Sequence, residues 1–342
     1  MIALCVGLRG KRTEALLDDA VSGLTQLGQD VDLRFVDNVG DLASTILDRK
    51  NKHIIAFISD VDVAMAGVLS KFNGEFFLLY ADPVAVAIDR FEAGGDIRVD
   101  IRDLMRKLVQ VIDIQAFPNC ITIDCDRDRG RSVFFEKLAE LFSGGPLTAI
   151  LPPMTGADLP VSMAGSHQEI DIMARGALSP FRKLKNGSVP DRFLISRQLF
   201  VGTSESGAMS SEPLDVTGRA RLLVFGPYVH LPRGHWSVRM VVGFSEELIG
   251  NTLVFDVSEN YGADVRCQSK ITVSKAGRSE IFMSFQHDEP SYPVEVRTFS
   301  ERSIIDGYLS IGFVEFTLNK WPDELYNQSK TDEEFRSGVS FS

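Results

Sequence analysis

The 342-residue chain has only five histidines and four cysteines, and neither type is spaced to form a metal centre. Cys5, Cys120, Cys125 and Cys267 are scattered and mostly lie in apolar runs, so they read as reduced, buried thiols rather than a disulfide framework. This points to a cytoplasmic protein with no metal. No apolar run approaches the roughly 18–20 residues that cross a bilayer, so no membrane span is expected. The apolar segment Ile2–Val6 has no basic region ahead of it and reads as a first strand rather than a signal peptide. Excess positive charge is also missing. The net charge is −11, with 17 basic and 23 acidic side chains in residues 1–150 and 19 and 24 in the remainder. Neither part offers the basic face that nucleic acid requires, and an acidic field opposes polyanionic ligands unless local Lys and Arg overcome it.

The sequence does contain two textures of hydrophobic pattern. Over the first 145 residues, apolar runs (Ile2–Val6, Val31–Val36, His53–Ile58, Phe76–Tyr80, Cys120–Asp124) alternate with helical periodicity (Thr13–Leu27, Gly40–Lys50, Val61–Phe72, Val84–Glu92, Ile101–Ile112, Ser132–Leu141). Continuously apolar strands separated by helices predict an α/β domain with a parallel sheet covered on both faces. Gly144-Gly145-Pro146 and Pro152-Pro153 open a Gly-, Ser- and Pro-rich stretch, 146–215, expected to be a connector. From 216 to 320, seven short runs follow at regular spacing, separated by turns such as Leu231-Pro232-Arg233-Gly234. These predict an antiparallel β-sandwich of jelly-roll or immunoglobulin-like form. Residues 321–342 are a polar tail, expected to be mobile.

Two segments of the first domain carry its candidate chemistry. Gly7-Leu8-Arg9-Gly10-Lys11-Arg12-Thr13-Glu14 lies between the first strand and an amphipathic helix, where backbone N–H groups can cradle an anion. Phe76–Tyr80 runs through Ala81 into Asp82-Pro83 and a helix of small apolar residues. Together they resemble the donor-binding elements of P-loop sulfotransferases. In that family an Arg before the Asp/Asn-Pro pair and a Ser on the helix bind the 3′-phosphate. The resemblance implies Lys11, Arg12 and Thr13 as the donor-binding positions. Ala81 and Asp89 stand where the family's Arg and Ser are found, and Gly10, Lys11, Arg12 and Glu14 depart from its loop pattern, so the resemblance implies the fold with a degenerate site.

The second domain opens on Val224-Phe225-Gly226-Pro227-Tyr228-Val229-His230-Leu231-Pro232-Arg233-Gly234-His235-Trp236-Ser237-Val238-Arg239. This string resembles the start of carbohydrate-binding-like β-sandwich modules that accompany bacterial polysaccharide-related enzymes. Period-2 alternation puts Trp236, Val238, Met240, Val242 and Phe244 on the core side. Arg239, Glu295 and Arg297 alternate with apolar neighbours and are expected to share an outward face, which with Tyr228 forms the candidate ligand surface. Asp256, Glu259 and Asp264 flank a turn but match no calcium-loop spacing.

The two resemblances imply a non-catalytic glycan-recognition or assembly protein of bacterial surface-polysaccharide metabolism. Its partner would be a glycan or a polysaccharide-assembly protein, with no cofactor. Two alternatives stay open: an active carbohydrate sulfotransferase using 3′-phosphoadenosine 5′-phosphosulfate, and a structural module whose sandwich edges bind another protein chain.

Overall fold

The computed structural model describes residues 1–48, 52–143, 168–202 and 213–320, and the chain forms two compact units, residues 1–189 and 190–342. In the first unit, strands β1 (Ile2–Gly7), β2 (Val31–Val36), β3 (His53–Ile58), β4 (Phe76–Tyr80) and β5 (Cys120–Asp124) alternate with helices. These are α1 (Lys11–Gln26), α2 (Val39–Leu47), α3 (Val63–Ser70), α4 (Pro83–Glu92), α5 (Ile97–Gln115) and α6 (Asp128–Ser143). The strands form one parallel sheet in the order β2-β3-β1-β4-β5. Its central strands are buried along nearly their whole length because helices cover both faces. On one face, Leu4, Val6, Ile54, Ala56, Ile58, Phe76 and Leu78 pack with Leu42 of α2, Met65 and Leu69 of α3, and Val111 and Ile114 of α5. On the other, Phe77 meets Phe134 of α6 edge to face at 5.3 Å.

Helix limits follow local caps. α5 starts at Ile97, four residues before the periodicity becomes evident, because the Asp96 carboxylate accepts from the Arg98 N–H. Gly7 permits the close pairing of β1 with β4, since a Cβ there would lie 2.4 Å from the Leu79 carbonyl. The chain leaves β1 toward β2 on one side and leaves β4 toward β5 on the other. The carboxyl ends of β1 and β4 therefore frame the crevice where such sheets bind ligands.

The 146–215 stretch is shared between the units. Residues 168–189 belong to the first: α7 (Gln168–Leu178) buries Met173, Ala174, Ala177 and Leu178 and packs against α4 and α5. The second unit begins with β6 (Arg192–Ser196), β7 (Val201–Gly202) and β8 (Leu214–Asp215), followed by β9 (Arg221–Phe225), β10 (Pro227–Val229) and β11 (Gly234–Phe244). β12 (Thr252–Glu259), β13 (Asp264–Thr272), β14 (Gly277–His287), β15 (Val294–Ser300) and β16 (Tyr308–Lys320) complete it. Their pairing is antiparallel. A six-stranded sheet runs β13-β12-β15-β9-β7 with β10 beside β15, and a five-stranded sheet runs β14-β11-β16-β6 with β8 beside β16. The core between them holds Trp236, Val238, Met240, Phe193, Ile195, Phe316, Phe255, Val257 and Val296. Trp236 also donates its indole N–H to the Pro232 carbonyl at 2.8 Å.

The protein is thus an α/β unit followed by an antiparallel β-sandwich. No described helix is long and apolar enough to cross a membrane. His167, the Gly- and Pro-rich start of the 146–215 stretch at 144–153, and the 321–342 tail lie outside the described residues.

Candidate functional site

The crevice of the first unit brings the predicted residues Lys11 and Arg12 to the carboxyl edge of β1 and β4, but each faces a carboxylate of the same chain. Lys11 Nζ lies 3.6 Å from Asp89, and Arg12 donates to Asp126 at 2.5 Å. The second Asp126 oxygen accepts the Asp82 backbone N–H at 2.7 Å, so Asp126 takes up donors an anionic ligand would use. Asp82 in turn receives a bidentate contact from Arg182 at 3.1 and 2.5 Å. Burial pulls the Arg12 guanidinium down, but Asp126, Asp89 and Asp82 outweigh it and hold the group above its ordinary value. The Tyr80 phenol is pushed up by burial, and then by Asp82 and Asp126. Thr13 is buried, and its hydroxyl donates to the Leu8 carbonyl at 2.8 Å, closing the turn before α1. Ala81 is 1 % exposed, so its position lies within the packed interior. Arg9 is drawn away to Glu14 and the face of Phe35.

In the second unit, Glu295 and Arg297 lie on the side of β15 away from the core, where register sets them beside Ser258 and Asp256 of β12, but Glu295 and Asp256 are buried there, at 3 % and 2 % exposure, so the expected solvent-facing surface is not formed by them. Arg297 makes a bidentate pair with Asp256 at 2.8 and 2.9 Å and donates to the Gly262 carbonyl at 3.1 Å. Ser258 donates to Glu295 at 3.4 Å. The Asp256 contact, opposed by burial, holds Arg297 above its ordinary value.

The turn after β12 lies against this cluster. Gly262 has a φ of 84°, which favours glycine, and a Cβ there would fall 2.5 Å from Arg297 Nη1, so a side chain would have to displace the guanidinium. Tyr261 precedes it, 76 % exposed, with its ring 6.1 Å from that of Tyr228 and tilted 36° to it. Tyr228 in turn meets Phe225 edge to face at 6.1 Å. Tyr228, Asn260 and Tyr261 have φ of 59°, 52° and 56°, and among the described residues they alone are non-glycine with positive φ. All three flank this one face.

The base of the turn is fixed from the core side. Buried Glu259 accepts from Arg266 at 2.8 Å and lies 2.6 Å from His287 Nδ1, while His287 Nε2 donates to the Leu231 carbonyl at 3.0 Å. Asp256 and Glu259 thus serve guanidinium and imidazole partners, and the described residues hold no group of three or more His, Cys, Asp or Glu placed for a metal ion.

Arg239 does not join this face. It lies on β11 of the five-stranded sheet, bound to Glu315 at 2.7 Å and lying over the Phe313 ring at 5.1 Å. Alternation correctly turns it outward, but the outward faces of the two sheets point in opposite directions. Asp256 and Tyr261 complete the cluster in its place. The sequence signal for Tyr261 was an aromatic residue within Asn-Tyr-Gly, a segment suited to left-handed backbone.

No protein-family model matches the chain, and no curated protein matches it in sequence. Among solved structures it is similar to TmCBM61 in complex with β-1,4-galactotriose, at 14 % identity over 38 % of this chain and 83 % of that one, with a TM-score of 0.25. It is also similar to the C-terminal CBM6 of LamC from Zobellia galactanivorans, at 13 % identity over 37 % and 99 %, TM-score 0.26. A third likeness is to carbohydrate-binding module CBM6cm-2 of Cellvibrio mixtus lichenase 5A in complex with cellotriose, at 14 % identity over 37 % and 97 %, TM-score 0.24. Likeness at this level leaves the chemistry of the face to its own residues. Those residues offer exposed Tyr261 beside half-buried Tyr228 for stacking, above a largely buried guanidinium–carboxylate cluster that holds the turn in place.

Proposed function

We propose that the second unit recognises a neutral glycan on the outward face of its six-stranded sheet. The observation that carries this reading is the left-handed turn that holds Tyr261 in solvent beside Tyr228. Bulky residues in that backbone region are strained, and strain of this kind collects at binding sites. With its ring in solvent beside that of Tyr228, Tyr261 can stack on the C–H face of a sugar. Asp256 and Arg297 satisfy each other, and with Glu295 the carboxylates outnumber the guanidinium two to one, so acidic sugars are disfavoured here.

A role in bacterial surface-polysaccharide metabolism, as a binding or assembly component in the cytoplasm, extends the same reading. Its supports are the opening string of the sandwich and the four free cysteines. In this reading the first unit is a degenerate sulfotransferase-like domain, because Asp89 and Asp126 occupy the cations a donor would need.

The test is retention of the intact protein on an array of neutral glycans. Tyr261→Ala and Tyr228→Ala should each weaken retention about tenfold, equivalent to one lost stacking contact. Unchanged retention in both variants, or no retention of the wild type, overturns the proposal.

A further inference from the structure

Helix α3 of the first unit consists of Val, Ala, Met, Gly and Leu with a single serine, and it contains no charged residue. A helix at a protein surface keeps a polar side, whereas one that is apolar all round is covered all round. α3 is covered on one side only. Met65 and Leu69 are buried beneath it, but Ala64, Gly67 and Ser70 are exposed and Val63 is 84 % exposed. α2 packs beside it and extends the same surface through exposed Ala43, Ile46 and Leu47. Gly67 has no positive φ, and a Cβ there would meet nothing within 4 Å, so neither the backbone nor packing within the chain calls for the weaker helix former. Charge returns only at the ends of α3, with exposed Asp62 before its first residue and exposed Lys71 after its last. Asp62 caps the helix with one carboxylate oxygen, which accepts the Met65 N–H at 2.7 Å, and Lys71 has no ion pair among the described residues. Asp60, a little further out, is taken up by Arg106 of α5 at 2.9 and 2.6 Å.

We propose that a second copy of this chain docks on this face, with α3 lying antiparallel to α3 about a two-fold axis level with Ala66 and Gly67. A two-fold contact joins one patch to itself, so the patch must complement its own reverse. The charges of α3 meet this condition. At 1.5 Å per residue, Asp62 and Lys71 stand about 13 Å apart along the helix, and their midpoint falls between Ala66 and Gly67. An antiparallel pair therefore sets Asp62 of each copy against Lys71 of the other, and the opposed helix dipoles favour the same direction. Shape follows the same order. Val63 projects at one end of α3 and falls toward Gly67 and Ser70 of the other copy, while Gly67 at the axis lets the two backbones approach. The same axis runs α2 along α2, which carries Leu47 toward Gly40 and Ala43. With each copy at −11, an interface free of unmatched charge is also the one that brings the least repulsion together. The pairing belongs to the first unit and is independent of the glycan reading.

Sedimentation equilibrium of the full-length protein at micromolar concentrations tests the pairing. The wild type should sediment at twice the chain mass of 37.8 kDa. Gly67→Glu should sediment at the single mass with an unchanged circular dichroism spectrum, because the new side chain enters open space within its own chain but puts two carboxylates at the axis of the dimer. Lys71→Glu, an exposed substitution outside the helix, should weaken association about tenfold by setting like charges opposite each other. Its salt response should also reverse: added salt loosens the wild-type dimer and tightens that of Lys71→Glu. Ile305→Glu, which charges an exposed apolar residue of the second unit, should leave the dimer unchanged. A monomeric wild type overturns the proposal, since the face would then serve another occupant or none. A dimer that survives Gly67→Glu, one that Ile305→Glu dissolves, or a Lys71→Glu dimer with the salt response of the wild type overturns it equally.

Discussion

Tyr261 combines 76 % exposure with a φ of 56°, two conditions that each work against stability. A residue with a side chain in this backbone region costs roughly 1–2 kcal/mol relative to the right-handed region, and glycine avoids most of that cost. Tyr261→Gly is therefore expected to raise stability by up to about 1 kcal/mol in urea denaturation while lowering neutral-glycan retention. Loss of stability together with retained binding would show that the ring serves the fold. Glu315 supplies a second residue-scale expectation. Burial pushes its carboxyl up, but hydrogen bonds from Arg239 and Arg192 outweigh this and hold it below the ordinary 4.5. A depressed carboxyl stabilises fully above pH 4.5, and that contribution is lost as pH falls through the lower folded value. Glu315→Gln should thus cost about 1.5–3 kcal/mol at neutral pH and flatten the acid limb of a Tm–pH profile below 4.5. An acid limb identical to the wild type would remove Glu315 from the acid response.

At the scale of elements, β11 shows how far local pattern carries. Alternation alone assigns Trp236, Val238 and Met240 to the core, and they are buried, because side-chain period is a property of the strand itself. Trp236→Ala should destabilise the second unit by about 3–5 kcal/mol through the cavity left beside Phe193, measured by chemical denaturation. A cost below 1 kcal/mol, on the order of a surface substitution, would deny the tryptophan its core role. The same alternation could not reveal that β11 and β15 lie in different sheets, since sheet membership depends on long-range pairing. Arg239→Ala is accordingly expected to leave neutral-glycan retention intact. The crevice of the first unit was hidden for the same reason. Its loop was legible as a strand-to-helix turn, but the Asp126 that pairs with Arg12 lies 114 residues away. β6 was missed because a five-residue strand embedded in Gly- and Pro-rich sequence has too few periods to stand out.

For the whole molecule, these pairings bear on whether the first unit takes nucleotides and where the chain can be cut. With Lys11, Arg12 and Arg182 each facing a carboxylate, adenosine 3′,5′-bisphosphate should not shift the thermal transition. A bound ligand at a hundred times its dissociation constant would add about 2.7 kcal/mol, so a shift on that scale would restore the transferase reading. The cut is best placed between Val189 and Pro190. A fragment starting at residue 216 looks complete by strand periodicity, yet it loses β6, which pairs with β16 from Arg192 to Ser196. It also loses Phe193, which packs 5.8 Å from Trp236, and Arg192, which binds the nearly buried Glu315. Leaving the inner edge of β16 unpaired exposes backbone donors and acceptors as well as core side chains. Residues 190–342 should therefore express as a soluble, cooperatively unfolding fragment that retains neutral-glycan binding, whereas 216–342 should aggregate or unfold at a lower temperature. Equal stability of the two fragments in calorimetry would mean that β6 is dispensable and that the sandwich closes without it.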